Sequence, residues 1–136
     1  MTLVVDAGAV VDLLLRRPLG DAVRRALQGE VADLHAPALL DLEVLSAARR
    51  LLAEGDLDVE RAEQAVEDLV ALPVLRHGHL PLLRRVWDLR ENMTPYDAAY
   101  VALAEGLGGD AALLTLDRRL ARAVSSHTDV RTIIPA

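Results

Sequence analysis

The pattern of apolar and polar positions divides the chain into short alternating elements. Leu3-Val4-Val5 has no polar alternation and ends abruptly at Asp6. Such a run predicts a strand buried on both faces, as in a parallel sheet. Ala9 to Leu15 predicts a short helix, interrupted by Arg16-Arg17-Pro18. Gly20 and Asp21 open a second helix, Ala22 to Gln28, which Gly29 ends, and Leu34-His35-Ala36 predicts a second strand. Pro37 suits the first turn of a helix. Ala38 to Glu54 then has helical spacing at Leu40, Val44, Ala47 and Leu51, stopped at Gly55. Asp58 is placed to N-cap a helix running to Leu72, and Pro73 to Arg76 predicts a third strand. His79 to Arg90 predicts a helix carrying the sole tryptophan, Trp87. Thr94-Pro95-Tyr96-Asp97 opens the next helix, which Gly106, Gly108 and Gly109 end. Ala112 to Thr115 predicts a fourth strand, Asp117 starts a helix to Val124, and Val130 to Ile134 predicts a last strand.

Strands and helices alternating at this spacing imply right-handed crossovers and an α/β fold, a three-layer domain with a central parallel sheet flanked by helices. A chain of 136 residues is expected to form one such domain, spanning 1–136.

Composition narrows the chemistry. Hydrophobic residues make up 52% of the chain, which argues against disorder. With no Phe, the core is expected to be Leu, Val, Ala and Ile. The absence of Cys removes a disulfide framework, a thiolate metal site and a Cys nucleophile. The first residues run straight into a strand without a charged leader, and no apolar run reaches the length of a membrane span, so the expectation is a soluble, cytoplasmic protein with no membrane partner. The net charge is −6, and every basic residue is Arg. A broad basic surface for a polyanion is therefore disfavoured, and a nucleic-acid partner would need metal ions and a few local arginines to offset repulsion. Mechanisms that require a Lys are excluded.

Four acidic residues from distant parts of the chain are expected at one edge. Asp6 follows the first strand and Asp117 the fourth, so both stand at the C-terminal edge of a parallel sheet, where open α/β sheets build their sites. Asp97 lies in the first turn of a helix whose N-terminus faces the same edge, and Glu43 lies in the first half of the long helix after the second strand. Each has a plainer reading. Asp6 and Asp117 can be N-caps, and Asp97 can complete a capping arrangement with Thr94. Asp41 competes with Glu43, and periodicity does not separate them. Taken together, however, carboxylates gathered with no Lys and no run of Arg beside them would raise one another's pKa unless a cation were present. Oxygen-only donors point to Mg2+ or Mn2+ rather than Zn2+.

Four stretches, in order, carry a family resemblance: Val4-Val5-Asp6-Ala7, Leu42-Glu43-Val44-Leu45-Ser46-Ala47, Thr94 to Ala104, and Leu113-Leu114-Thr115-Leu116-Asp117. They resemble the PIN-domain ribonucleases, and among them the VapC-type toxins of bacterial toxin–antitoxin pairs, over almost the whole chain. The resemblance implies a Mg2+-dependent endoribonuclease acting on single-stranded or looped RNA, a tightly bound antitoxin and a homodimer. It also implies that Asp6, Glu43, Asp97 and Asp117 are the catalytic, metal-holding residues, which decides between Glu43 and Asp41. One departure stands out: many relatives have Ser or Thr two residues after the first Asp, where this chain has Gly8. Thr115 is a candidate to supply a hydroxyl instead. A non-catalytic PIN-like binding module is the alternative. A phospho-acceptor receiver or an Asp-nucleophile phosphatase would share the fold class but normally uses the Lys this chain lacks.

Arg16 and Arg118 are the expected phosphate contacts, on the reading that both lie near the acidic edge. His77 and His79 read as a solvated loop pair, and His35 as packed or capped. Tyr96 and Tyr100, four apart on one helix face, read as packing residues, and Trp87 as core or interface. The aliphatic faces of the helices from Ala9 to Leu72 offer a surface for a dimer mate and for an antitoxin helix laid in a groove.

Overall fold

The computed structural model describes residues 1–29 and 33–136. Its centre is a strand, β1 (Thr2–Val5), whose Leu3, Val4 and Val5 are buried. Such side chains stabilise the fold by roughly 1.5–3 kcal/mol each when fully withdrawn from water. β1 is hydrogen-bonded on one side to β2 (Asp33–Pro37) and on the other to β4 (Ala112–Leu114), with β3 (Leu75–His77) and β5 (Arg131–Ile133) at the edges. The order is β3-β2-β1-β4-β5, and every pairing is parallel. The chain moves outward one way from β1 to β3 and then crosses to the other side of β1, so strand order reverses between β1 and β4. That is where an open parallel sheet leaves a crevice beyond its C-terminal ends.

Among the described residues seven helices flank the sheet, as the alternating pattern predicts. They are α1 (Ala7–Leu14), α2 (Gly20–Leu27), α3 (Leu39–Ala53), α4 (Val59–Ala71), α5 (Leu83–Asp88), α6 (Pro95–Leu107) and α7 (Arg118–His127). α6 packs on β1, β2 and β4. Its middle, Ala98 to Ala104, is buried on every side, as expected of a helix apolar all round. α1 ends in a Schellman-type turn: Arg16 adopts φ 53° and the Arg17 amide donates to the Asp12 carbonyl at 3.0 Å. The chain then turns into α2 at Gly20, where an added Cβ would lie 2.4 Å from the Asp12 carbonyl oxygen. Only glycine permits that approach.

Two expected boundaries are corrected. Pro37 ends β2 instead of opening α3: it pairs in register with His77, and the ladder bypasses its missing N–H, because the next amide, that of Ala38, donates to the His77 carbonyl at 2.8 Å. The helix expected over His79 to Arg90 is broken into a 3-10 turn at Leu80–Leu82, with Pro81 in its first turn, followed by the short α5. The histidines also differ from the expected solvated pair. His77 stacks on buried His35 with ring centroids 5.0 Å apart and shares a 2.8 Å hydrogen bond with it. His79 Nε2 accepts from the Leu39 amide at 3.1 Å and so caps α3. Trp87 is not core; its ring is exposed beneath the Arg90 guanidinium, 4.7 Å from the centroid.

Candidate active site

A cleft of about 390 Å3 opens at the reversal point, lined by Asp6, Ala7, Gly8, Asp12, Leu19, Glu43, Asp97, Tyr100, Leu116 and Asp117. All four acidic residues singled out in the sequence line it. Asp6 is the innermost. It caps α1, with Oδ1 accepting from the Ala9 amide at 3.0 Å, and its Oδ2 accepts from the Thr115 hydroxyl. Thr115 is fully buried just beyond β4, and its Oγ1 also accepts from the Asp117 amide at 3.0 Å. The hydroxyl is thus spent on fixing Asp6 relative to the turn that presents Asp117. Thr115 does not line the cleft. It positions a residue that does.

Asp117 caps α7 through Oδ1, which accepts from the Leu120 amide at 3.0 Å, and Thr94 caps α6 by accepting from the Asp97 amide at 3.2 Å. The plainer capping readings therefore hold alongside the cleft. A residue that caps the helix following a strand stands at the sheet edge because of where that helix begins.

Glu43 and Asp41 separate clearly. Asp41 pairs with Arg76 at 3.0 Å, whereas Glu43 lines the cleft and accepts a 2.6 Å hydrogen bond from the Tyr100 hydroxyl. Tyr96, on the same helix, is exposed. Arg16 lies past the far end of α1 from Asp6, about 12 Å away along a helix of this length. Neither Arg16 nor Arg118 lines the cleft.

Three lining or neighbouring groups are not evident from sequence periodicity. Asp12 is a fifth carboxylate, one helical turn beyond Gly8, and its Oδ2 accepts from the Leu19 amide at 3.3 Å. The i, i+4 relation of positions 8 and 12 was the available signal. Tyr100 lines the cleft one turn beyond exposed Tyr96 and three residues beyond Asp97 on α6. Arg119 lies beside Asp97 and lowers that carboxyl by its charge.

The electrostatics follow from burial without pairing. Burial pushes the Asp6 carboxyl up to about 6, against the pull of the Thr115 and Ala9 hydrogen bonds and with smaller help from the Asp117 and Asp97 charges. Burial also raises Glu43, with the Asp97 charge adding and the Tyr100 hydrogen bond opposing. Asp97 is raised by burial and then by Asp117. Tyr100 is held far above its ordinary value by burial and by its bond to Glu43. Among the described residues, none of the cleft carboxylates forms an ion pair with an arginine. The donors are oxygens only, which suits a hard divalent cation in kind. As they stand, no three of them among the described residues are arranged to hold an ion.

The PIN domain profile matches residues 3–125. The chain belongs to the PIN domain family and, within it, to the VapC-type proteins. It is 39% identical to Ribonuclease VapC12 of Mycobacterium tuberculosis over 131 residues, covering 96% of this chain and 98% of that protein. It is 47% identical to Ribonuclease VapC3 of Mycobacterium tuberculosis over 120 residues, covering 88% of this chain and 85% of that one. Its fold matches the crystal structure of FitAcB from Neisseria gonorrhoeae with a TM-score of 0.65 at 18% identity, over 98% of this chain and 97% of the other.

Proposed function

We propose that this chain is a Mg2+- or Mn2+-dependent endoribonuclease and the toxin of a type II toxin–antitoxin pair. One observation carries the reading. Asp6, Glu43, Asp97 and Asp117, contributed by four separate elements, meet in one cleft at the strand-order reversal with no arginine paired to any of them. The relatives named ribonucleases, at 39% and 47% identity, support the same reaction class.

In this reading Asp6, Glu43, Asp97 and Asp117 would hold one or two ions. A bound divalent ion would supply activation of a water and stabilisation of the charge that develops on a phosphodiester. The protein's own contribution is placement. Thr115 and the α1 N-terminus fix both oxygens of Asp6, and Tyr100 fixes Glu43.

The partners follow the same reading: an RNA substrate, a cognate antitoxin and a second copy of the chain. Exposed apolar side chains such as Leu42 and Val70 on the helices up to Leu72, and Leu80, Leu83 and Trp87 beyond them, give apolar surface that a second copy would cover. An antitoxin helix would lie beside α1 to α4, with a basic tip toward the carboxylates. Action in the cytoplasm is part of the same reading; no helix among the described residues is long and apolar enough to cross a membrane.

The test is cleavage of single-stranded RNA by purified protein, with chelator and with added Mg2+ or Mn2+. Cleavage that requires the ion and vanishes in Asp6→Asn is the expected result. Millimolar Mn2+ should also raise the melting temperature, by linkage worth roughly 2.7 kcal/mol at a hundredfold excess over Kd. RNA binding without cleavage in any metal would leave a non-catalytic PIN module.

A further inference from the structure

A second, smaller cavity adjoins the acidic cleft, and Asp97 lines both. It measures about 140 Å3 and is lined by Asn92, Met93, Thr94, Arg119, Leu120 and Ala123 besides Asp97. Pockets that take drug-sized ligands run to about 300–1,000 Å3, so this one suits a small group.

The two cavities have opposite hydrogen-bonding character. In the acidic cleft the ionisable side chains are five carboxylates, which accept only when charged, and the one hydroxyl donor, that of Tyr100, is spent on Glu43. In the smaller cavity Arg119 presents a guanidinium that makes no hydrogen bond or ion pair with any described residue. Thr94 adds a hydroxyl whose oxygen accepts from the Asp97 amide, leaving its hydrogen free to donate. Arg119 is the only cation lining either cavity among the described residues.

Its place is fixed by the helix that carries it. Leu120, Ala121 and Val124 bury one face of α7, and this leaves Arg119 and Ala123, four residues apart, facing the cavity together. The preceding residue, Arg118, points elsewhere on the same turn and lines neither cavity.

An RNA strand carries a charge at every nucleotide, and the acidic cleft offers nothing to the phosphates on either side of the scissile one. We propose that the cavity lined by Arg119 and Thr94 is a phosphate subsite, which takes the phosphodiester next to the scissile one on an RNA strand passing over Asp97. The inference rests on the ribonuclease reading and adds a direction to the bound strand: from the carboxylates, across Asp97, toward α7. A guanidinium matches phosphate with paired donors, and here the contact is made beside carboxylates that would otherwise repel it.

The test uses a short single-stranded RNA in Mn2+, comparing wild type with Arg119→Gln, Arg119→Lys and Arg49→Gln. Arg49 is an exposed arginine on α3 that lines neither cavity. Arg119→Gln should raise KM several-fold with a smaller change in kcat, and Arg119→Lys should recover part of the loss. The slope of log(kcat/KM) against log salt should flatten by about 0.7, the counterion release expected for one contact to a single strand. Fluorescence anisotropy of the same RNA in chelator should show the same ranking without cleavage. If wild type cleaves while Arg119→Gln keeps its KM and salt slope, or if Arg49→Gln loses as much, the subsite is wrong and the ribonuclease reading stands. If wild type neither cleaves nor binds RNA, both fall.

Discussion

The Tyr100 hydroxyl donates to Glu43 Oε1 at 2.6 Å, joining the buried heart of α6 to α3 across 57 residues of sequence. The bond fixes one wall of the cleft to the helix that carries another, and it lowers the Glu43 carboxyl against the raising effect of burial. Tyr100→Phe keeps the ring and removes the donor. It should cost about 1 kcal/mol of stability, the usual net worth of such a bond, because half-buried Glu43 can recover a water. Glu43 should become easier to protonate, and ion-dependent cleavage should fall at mildly acidic pH before it falls at neutral pH. Urea denaturation and a pH–rate profile check both effects; an unchanged profile would mean that the bond plays no part in setting the site.

The Asp6 carboxyl, raised by burial from 3.8 to about 6, makes the metal-free protein sensitive to pH. An acid with a raised folded pKa holds its proton more tightly when folded, so the protonated protein is the more stable one. In chelator, stability should therefore rise as pH falls from 7 toward 4 and be lost as pH climbs through 6. The contribution is on the order of 2–3 kcal/mol at 1.36 kcal/mol per pKa unit. Asp6→Asn should stabilise the metal-free protein at pH 7 and flatten this dependence. Glu43 and Asp97, raised in the same direction, should leave a smaller residual slope. Equal denaturation midpoints for Asp6→Asn and wild type at pH 7 would contradict the burial argument.

Gly8 can accept a side chain. A Cβ there would meet only Asp6 Oδ1, at 3.8 Å, an ordinary contact. Gly8→Ser should fold with a gain of roughly 0.5 kcal/mol from lower backbone entropy loss in α1. It would also place a hydroxyl beside Asp6 and should tighten Mn2+ binding. Calorimetric titration with Mn2+ provides the check, and weaker binding than wild type would rule out that hydroxyl as a helpful donor.

Gly20 and Gly106 should respond oppositely to alanine. At Gly20 the new Cβ would collide with the Asp12 carbonyl, so Gly20→Ala should destabilise by about 1–3 kcal/mol and shift Asp12 in the cleft. At Gly106, in the last turns of α6, a Cβ meets nothing within 4 Å, and Gly106→Ala should stabilise by up to about 1 kcal/mol. Thermal melts of the two variants decide the matter.

The centre of the sheet was legible because β1 and β4 are buried on both faces. Leu3-Val4-Val5 and Ala112-Leu113-Leu114 have no polar side to hide, so their composition marks them as central strands, and the structure pairs them. Edges were less legible. β3 is displaced toward His77 from the expected Pro73 to Arg76, because its pairing is set by β2 and by the amide of Ala38, which no local pattern reveals. Asp6 and Asp117 were traceable because each caps the helix that follows a central strand, and Asp97 because it lies in the first turn of α6, whereas Glu43 was told from Asp41 only by the family resemblance. Arg119 was missed in favour of Arg118, since choosing between neighbours requires the phase of α7 about its axis. Asp12 was missed because its place depends on how tightly α2 crosses α1 at Gly20. The stacked His35–His77 pair joins residues 42 apart, a contact beyond the reach of periodicity.

The enclosed middle of α6 divides the molecule in time as well as in space. Amide protons from Ala98 to Ala104 have no exposed side from which a local opening could begin, so their exchange with solvent should follow unfolding of the whole molecule. Tyr100 sits within that slowest-exchanging stretch, and Asp97 one residue before it. Arg119 stands on the outward turn of a helix that can fray from its solvent face. The Tyr100 and Asp97 side of the cleft is thus set in the part of the protein that remembers its shape longest, while Asp117 and Arg119 belong to a helix free to breathe many times between global openings.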